Sequence, residues 1–227
     1  IDLLITDHHT PGEQLPDAFA MINPMRPDCL YPFKGLSGTG VAYKLLEALD
    51  YQLSLDGFWE RTGKVRADLH EELDLVAFAT ISDSMPMTDE NRFLVQKGLE
   101  NLNPCRRPGF QALLRVCGVR GRVTPTEISF KLAPKINAAG RVDDPNLGVK
   151  LLLSQSLTEA RPYADKMFSL NQQRQKIEAR VFSDAFAQAR QQINQKALIL
   201  VDQQWHPGVM GNIASRISRH FGKTTLA

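Results

Sequence analysis

Three consecutive side chains, Asp7, His8 and His9, could together bind a divalent metal ion and the anion that the ion activates. They follow an apolar, partly β-branched run at residues 1–5, which predicts a strand buried on both faces of a parallel sheet. Ligands of open α/β sheets bind at the carboxyl ends of the strands. The alternative is a polar loop in which one histidine caps a helix and the other is solvated. The position directly after a buried strand favours a site.

Read with its strand, the triplet resembles motif III of the DHH phosphoesterases, and the whole chain resembles the RecJ-type single-stranded-DNA exonucleases within that family. A second match is residues 79–86, Ala-Thr-Ile-Ser-Asp-Ser-Met-Pro, which looks like motif IV. From spacing alone, Asp83 is better explained as the cap of a helix predicted at residues 91–102. The resemblance instead implies that Asp83 and His8 are metal ligands, that Asp7 orients the imidazole or touches the metal, and that His9 contacts the scissile phosphate.

The most discriminating match is Asn137-Ala138-Ala139-Gly140-Arg141, which is similar to the Asn-Ala-x-Gly-Arg signature of the RecJ group. We expect the small residues to form the exit of a helix where a ligand can approach the backbone closely. Arg141 could then hold a phosphate bidentately, with Asn137 beside it. Without the resemblance, a tight turn with Arg141 in a structural salt bridge is the better interpretation.

Two further segments could contact a nucleic acid. The turn from His206 to Gly211 resembles the His-x-Gly-Val-x-Gly turn at the start of a DHHA1 domain, which makes His206 and Arg216 candidate contacts. His206 as a simple helix cap is the alternative. The glycine-rich stretch around Ser37 and Gly38 opens a helix, where backbone N–H groups can approach a phosphate. Close packing of helix on sheet explains its glycines equally well.

The elements that must position these residues predict an α/β fold. We expect an incomplete parallel-sheet DHH domain at residues 1–157, a long linking helix in the region 158–195, and the beginning of a DHHA1 substrate-binding domain at 196–227. The predicted strands are residues 1–5, 20–24, 197–202 and a last one starting near 224. The main predicted helices are residues 41–49, 72–81, 91–102, 147–153 and 212–220.

Composition is that of a globular chain with an uneven charge distribution. Residues 1–103 carry 8 Lys/Arg against 17 Asp/Glu, whereas residues 104–227 carry 19 against 8. This asymmetry favours a polyanionic partner along the basic half, although an ordinary solvated surface explains it too. No apolar run reaches the roughly 18 residues of a membrane span, so we expect no membrane partner. The three cysteines lack metal-ligand spacing, which suits a reducing cytoplasm.

The resemblance implies a metal-dependent enzyme that uses Mn²⁺ or Mg²⁺ to hydrolyse single-stranded DNA from 5′ to 3′ in DNA repair and recombination. It also implies a single-strand-binding protein or a helicase as protein partners, and aspartate motifs upstream of the first residue. We therefore expect the chain alone to be inactive. Two alternatives remain: a DHH phosphodiesterase acting on short oligonucleotides or cyclic dinucleotides, and a catalytically inactive nucleic-acid-binding replication protein.

Overall fold

The structure is a computed structural model that describes residues 1–227. The chain forms two compact units. Unit 1 comprises residues 1–106 and 120–133, and unit 2 comprises residues 107–119 and 134–227. Both are mixed α/β, as the sequence predicts, with short parallel strands and many helices. The assignment of domains at residues 1–157, 158–195 and 196–227 stays a prediction.

The regular elements fall into short strands and helices of very different length. The strands are β1 (Leu4–Thr6), β2 (Ala20–Ile22), β3 (Ala197–Ile199) and β4 (Thr224–Leu226). The helices are α1 (Gly38–Leu55), α2 (Phe58–Thr62), α3 (Leu73–Ser82), α4 (Asp89–Leu102), α5 (Pro108–Val116), α6 (Pro125–Glu127), α7 (Ala133–Val142), α8 (Asn146–Leu153), α9 (Leu157–Gln191) and α10 (Pro207–Phe221). No helix combines the length and the mean hydropathy that crossing a bilayer requires.

In unit 1, β1 and β2 pair in parallel, with Leu4 opposite Ala20. The prediction that the first strand is buried on both faces is wrong in this structure. Leu3 and Leu4 are 51% and 61% exposed, because β2 is the only strand that pairs with β1. The strand itself is present, so the turn that follows it still leaves the sheet at a carboxyl end.

The core of unit 1 lies between α1, α3 and α4. It is built from buried apolar side chains on these three helices and on the loop before α1: Leu36, Val41, Tyr43, Leu73, Val76 and Leu94. The helix predicted at residues 72–81 is α3, displaced by one residue. Because α3 ends at Ser82, this core fixes the position of the following residue, Asp83.

Unit 2 contains the predicted β-α-β segment, in which β3 and β4 pair in parallel and α10 connects them. Helix α10 begins at Pro207, five residues before the predicted start, because His206 caps it. Proline is favoured in a first turn, since its missing N–H would be unpaired there. The core joins the second half of α9 to α10 and β3 through Val181, Ala185, Ala189, Leu198, Leu200, Trp205, Val209, Ile213 and Ile217.

The segment around the Asn137–Arg141 signature is helical, so the expected helix exit is wrong. Helix α7 continues to Val142, because alanine has the highest helix propensity and outweighs a single glycine. Ala138 and Ala139 are buried, whereas Asn137 and Arg141 are exposed one turn apart. The two candidate contacts therefore share one face of a helix.

Candidate active site

The turn after β1 is organised around the carboxylate of Asp7. Its Oδ1 accepts hydrogen bonds from the backbone N–H of His8 at 2.7 Å and from Nδ1 of His9 at 2.8 Å. The Asp7 N–H donates to the carbonyl of Ile22 at 3.0 Å, which anchors the turn to β2. Asp7 therefore orients the ring of His9 while remaining part of the sheet edge.

Electrostatics keep Asp7 in its charged form. Burial acts to raise the pKa of the Asp7 carboxyl, but the hydrogen bonds from the backbone of His8 and from the ring and backbone of His9 together hold it below its usual value. An ionised carboxylate only accepts hydrogen bonds, so the proton of a neutral His9 ring resides on Nδ1. Nε2 of His9 then points away from Asp7, on a side chain that is 77% exposed.

His8 lies where three elements of unit 1 meet. Its Nε2 is 3.4 Å from Oδ2 of Asp83, at the end of α3. Gly38, the first residue of α1, lies so close that a Cβ there would be 3.4 Å from Cδ2 of His8. Ser37 caps α1 by accepting from the N–H of Gly40, and its Oγ lies 3.1 Å from Oγ1 of Thr80 on α3. The His8 side chain is only 14% exposed, so its position is well defined.

Asp83 does not cap the next helix. The residue at the N-terminal cap of α4 is Thr88, and α4 begins at Asp89. The Asp83 side chain is 53% exposed and approaches only His8 among charged groups. Ser84 follows with a left-handed backbone, φ 57°, which turns the chain away immediately after the carboxylate. This geometry leaves the Asp83 oxygens available to a ligand.

Asp7, His8 and His9 form a group of side chains that could hold a divalent cation. Ligand atoms of Asp7, His8 and His9 all lie within 4.8 Å of one another, and Asp83 adds a second carboxylate beside His8. Adjacent ligands on an octahedral ion with bonds of about 2.1 Å are about 3 Å apart, close to the 3.4 Å between His8 and Asp83. Carboxylate oxygens suit Mg²⁺ and Mn²⁺, and imidazole nitrogen suits transition metals such as Mn²⁺.

Two buried asparagines position this site and were missed in the sequence. Nδ2 of Asn23, at the end of β2, donates to the carbonyl of His9 at 2.8 Å. Nδ2 of Asn91, on α4, donates to the carbonyls of Gly35 at 2.6 Å and Pro86 at 2.9 Å. Asn91 thus ties the loop after Asp83 to the loop before α1. Asn23 has a usable sequence signal, since it ends the strand next to β1; Asn91 has none.

Replacing Asn91 with alanine is expected to destabilise unit 1 by about 2–3 kcal/mol, because the carbonyls of Gly35 and Pro86 both lose the donor that a buried side chain provides. Urea unfolding would measure the loss. Asn194→Ala is the matched control, since Asn194 is exposed, and it should unfold at the wild-type urea concentration. Equal stability of both variants would contradict the assigned role of Asn91.

Two candidate contacts of unit 2, Arg141 and His206, meet at the start of α10. His206 accepts from the N–H of Gly208 through Nδ1 at 3.0 Å, so it does cap the helix. Nη1 of Arg141 donates to the carbonyl of Gly208 at 3.3 Å. A Cβ at Gly208 would lie 2.5 Å from the Arg141 carbonyl oxygen, so only glycine permits this approach. Arg141 and His206 therefore lie on either side of one turn, whereas Arg216 lies two turns into α10 and bonds to Glu178.

Comparison with known proteins places these geometries in a family context. The profile described as DHH family, N-terminal domain, matches residues 1–80. The chain is 40% identical over 234 residues to the single-stranded-DNA-specific exonuclease RecJ of Dickeya dadantii, which covers all of this chain and 41% of that protein. It is 38% identical to the RecJ of Bacillus subtilis, again over all of this chain and 27% of the relative. The chain thus spans less than half the length of these relatives.

Solved structures with the same architecture contain metal ions. A crystal structure of exonuclease RecJ bound to manganese superimposes with a TM-score of 0.79 and 34% identity, covering 98% of this chain and 53% of the other. RecJ of Thermus thermophilus in complex with Mg²⁺ gives a TM-score of 0.72 and 32% identity, covering 98% of this chain and 32% of the other. The chain therefore shares its fold with proteins that bind Mn²⁺ or Mg²⁺.

Proposed function

Because the chain belongs to the DHH family, we propose that it forms the metal-binding and part of the substrate-binding portion of an exonuclease that hydrolyses single-stranded DNA. The observation that carries this proposal is the cluster of Asp7, His8 and His9 after β1, with Asp83 at the end of α3 lying 3.4 Å from His8. RecJ relatives along the whole chain support the choice of substrate. The 5′ to 3′ direction and the role in repair and recombination rest on the family resemblance alone.

His8 and Asp83 would hold a Mn²⁺ or Mg²⁺ ion, with Asp7 as a further ligand or as the group that orients the imidazoles. Such an ion offsets the repulsion between carboxylates and phosphate and lowers the pKa of bound water, which can then attack phosphorus. The protein supplies the orientation. Asp7 holds Nδ1 of His9 at 2.8 Å, which leaves Nε2 of the imidazolium form free to donate to a phosphate oxygen.

The N-terminus of α1 is suited to a second phosphate contact. Gly38 lies against the His8 ring, and the side chain of Ser37 satisfies only the N–H of Gly40. The remaining N–H groups of the first helical turn carry partial positive charge beside the metal site. Ser37 itself is buried, so it would act through the backbone geometry of this turn.

In unit 2, Asn137, Arg141, His206 and Arg216 would contact the strand. Arg141 is the strongest candidate for a phosphate, because the hydrogen bond from its Nη1 to Gly208 leaves its other nitrogens free of partners. These contacts position the nucleic acid without reading its sequence, as suits an enzyme that degrades any single strand. A single-strand-binding protein or a helicase would deliver such a substrate, and we propose these as partners from the resemblance.

A length series separates this function from the alternatives. With Mn²⁺ present, the full-length protein should degrade 5′-labelled single strands of tens of nucleotides faster than dinucleotides or cyclic dinucleotides, and a chelator should stop it. Preference for two-nucleotide substrates would support the phosphodiesterase alternative. Binding without hydrolysis under every metal condition would support the inactive replication protein.

Arg141→Ala in the full-length protein should weaken single-strand binding for all base sequences alike. It should also lower the slope of log K against log salt by about 0.7, since one phosphate contact releases its counterions. Fluorescence anisotropy over a salt series measures both. Arg161→Ala, which removes an exposed arginine paired with Asp165 on α9, is the control. An unchanged slope for Arg141→Ala would mean that Arg141 has a structural role and does not contact a phosphate.

A further inference from the structure

Glu178 on α9 is the centre of a charged network within unit 2 that the family signatures do not include. Its Oε1 accepts from Nδ2 of Asn212 at 2.6 Å and from Nη1 of Arg216 at 3.0 Å. Its Oε2 accepts from Nη1 of Arg174, one turn earlier on α9, at 2.7 Å. The Glu178 side chain is 12% exposed, so three donors converge on a nearly buried carboxylate.

Arg216 is held from a second direction. Its guanidinium lies over the ring of Phe182, one turn after Glu178, with 3.9 Å between the guanidinium carbon and the ring centroid. The ring of Phe182 and the carboxylate of Glu178 thus hold the guanidinium from two directions. Nε and Nη2 of Arg216 make no hydrogen bond in the structure, and the side chain is 40% exposed.

This arrangement is more than helix packing requires. A buried ion pair is often no more stabilising than apolar side chains of similar volume, because both charges lose hydration. An arginine that only joined α9 to α10 would also not need two unpaired donors at the surface. Nε and Nη2 are the edge that binds the two oxygens of a phosphate in parallel. A guanidinium already ordered in the folded protein loses little freedom on binding.

We propose that Glu178 is a positioning residue that holds Arg216 over the ring of Phe182, with its Nε and Nη2 edge presented to a phosphate of single-stranded DNA. The inference rests on the proposed function, since it assumes that Arg216 faces the nucleic acid. It adds that the contact depends on a carboxylate 38 residues earlier in the chain.

A positioning role for Glu178 and a simple charge effect predict opposite changes in DNA affinity when Glu178 is removed. Removing a negative charge near a nucleic-acid surface strengthens binding when the charge acts only through space. Losing Glu178 as a positioning residue weakens binding instead, because Arg216 becomes free to rotate. Asp165, on the same helix, also forms an ion pair with an arginine four residues earlier, the exposed Arg161. Asp165→Asn is therefore a matched control for loss of charge.

The test is a double-mutant cycle in the full-length protein, with anisotropy of a labelled oligothymidylate at fixed salt. Arg216→Ala is expected to raise Kd by about tenfold and Glu178→Ala by about fivefold, in the range for hydrogen bonds to charged groups. The double variant should bind no more weakly than Arg216→Ala alone, because Glu178 acts only through Arg216. Asp165→Asn should bind as tightly as wild type or more tightly.

Additive losses in the cycle, or unchanged or tighter binding by Glu178→Ala, would overturn the proposal and leave Glu178 as a packing residue. If Glu178→Ala does not fold by circular dichroism, Phe182→Leu decides, since it keeps an apolar contact but removes the aromatic face. It should weaken binding in the wild-type background and not in the Arg216→Ala background. Unchanged binding by Arg216→Ala would also overturn the inference. The proposed exonuclease function is tested separately, and it would be contradicted if the wild-type protein showed no metal-dependent hydrolysis.

Discussion

Replacing His8 or Asp83 with alanine in the full-length protein is expected to lower the rate of single-strand hydrolysis by about 10³-fold or more, since a metal ion at the scissile phosphate contributes several kcal/mol. His8 Nε2 and Asp83 Oδ2 lie 3.4 Å apart, so either change would remove one ligand of the proposed ion. Single-strand binding should remain largely in place, because the proposed phosphate contacts of unit 2 are untouched. Release of 5′-labelled product under single-turnover conditions measures the rate.

Two control variants separate a ligand role from a general loss of imidazole or carboxylate. His70→Ala and Asp17→Asn change exposed residues outside the site, and both should digest single strands at the wild-type rate. Added Mn²⁺ at high concentration should partly restore Asp83→Ala if the remaining ligands still bind the ion weakly. Near-normal turnover by either His8→Ala or Asp83→Ala in ordinary buffer would contradict the assignment of this pair as metal ligands.

The residues of the Asp-His-His turn could be predicted because their signal is local. An apolar run followed at once by polar, ligand-type residues marks the carboxyl end of a strand, and the structure has Asp7 bonded to β2 at that place. The predicted burial of the strand was wrong because burial is not a local property of the sequence. Burial depends on neighbouring strands and covering helices, which are not encoded within the run itself.

The Asn137–Arg141 segment shows how local propensity and packing decide between a turn and a helix. Glycine at position 140 and two adjacent alanines are compatible with both. The Ala138 and Ala139 side chains, each at most 1% exposed, lie on the buried face of this helix. The sequence therefore did not determine the backbone conformation of this segment, and the nucleic-acid contacts of Asn137 and Arg141 stay a prediction.

The positioning residues could not be found from the sequence, because their partners are distant in the chain. Asn91 reaches Gly35 across 56 residues, and Glu178 reaches Asn212 across 34. A buried asparagine or glutamate on a helix looks the same in sequence as one facing solvent. Only tertiary packing shows which backbone carbonyl or guanidinium it meets. Gly208 is a further example. It has to be glycine because a Cβ there would clash with the carbonyl oxygen of Arg141.

Gly98→Ala is expected to be the most destabilising single methyl addition in unit 1. A Cβ at Gly98, on α4, would lie 2.0 Å from the carbonyl oxygen of Leu73 and 2.5 Å from Cβ of Ala77, both on α3. Backbone atoms cannot rotate away as a flexible side chain does, so the two helices must separate. Forced overpacking of a core costs about 1–3 kcal/mol and occasionally more. We expect the upper end, about 3 kcal/mol, because the clash is with backbone.

Gly98→Ala should also affect hydrolysis, because α3 positions Asp83. Asp83 caps the C-terminus of α3, with its N–H donating to the carbonyl of Ala79 at 2.9 Å, so a shifted α3 moves Asp83 relative to His8. Gly98→Ala should therefore lose both stability in urea and hydrolysis at temperatures where it is still folded. Gly211→Ala makes the same change inside α10, where a Cβ would meet nothing within 4 Å, and should be neutral or stabilising by up to about 1 kcal/mol. A Gly98→Ala variant that is as stable as Gly211→Ala and as active as the wild type would show that the α3–α4 contact is looser than its geometry indicates, and that Asp83 does not depend on it.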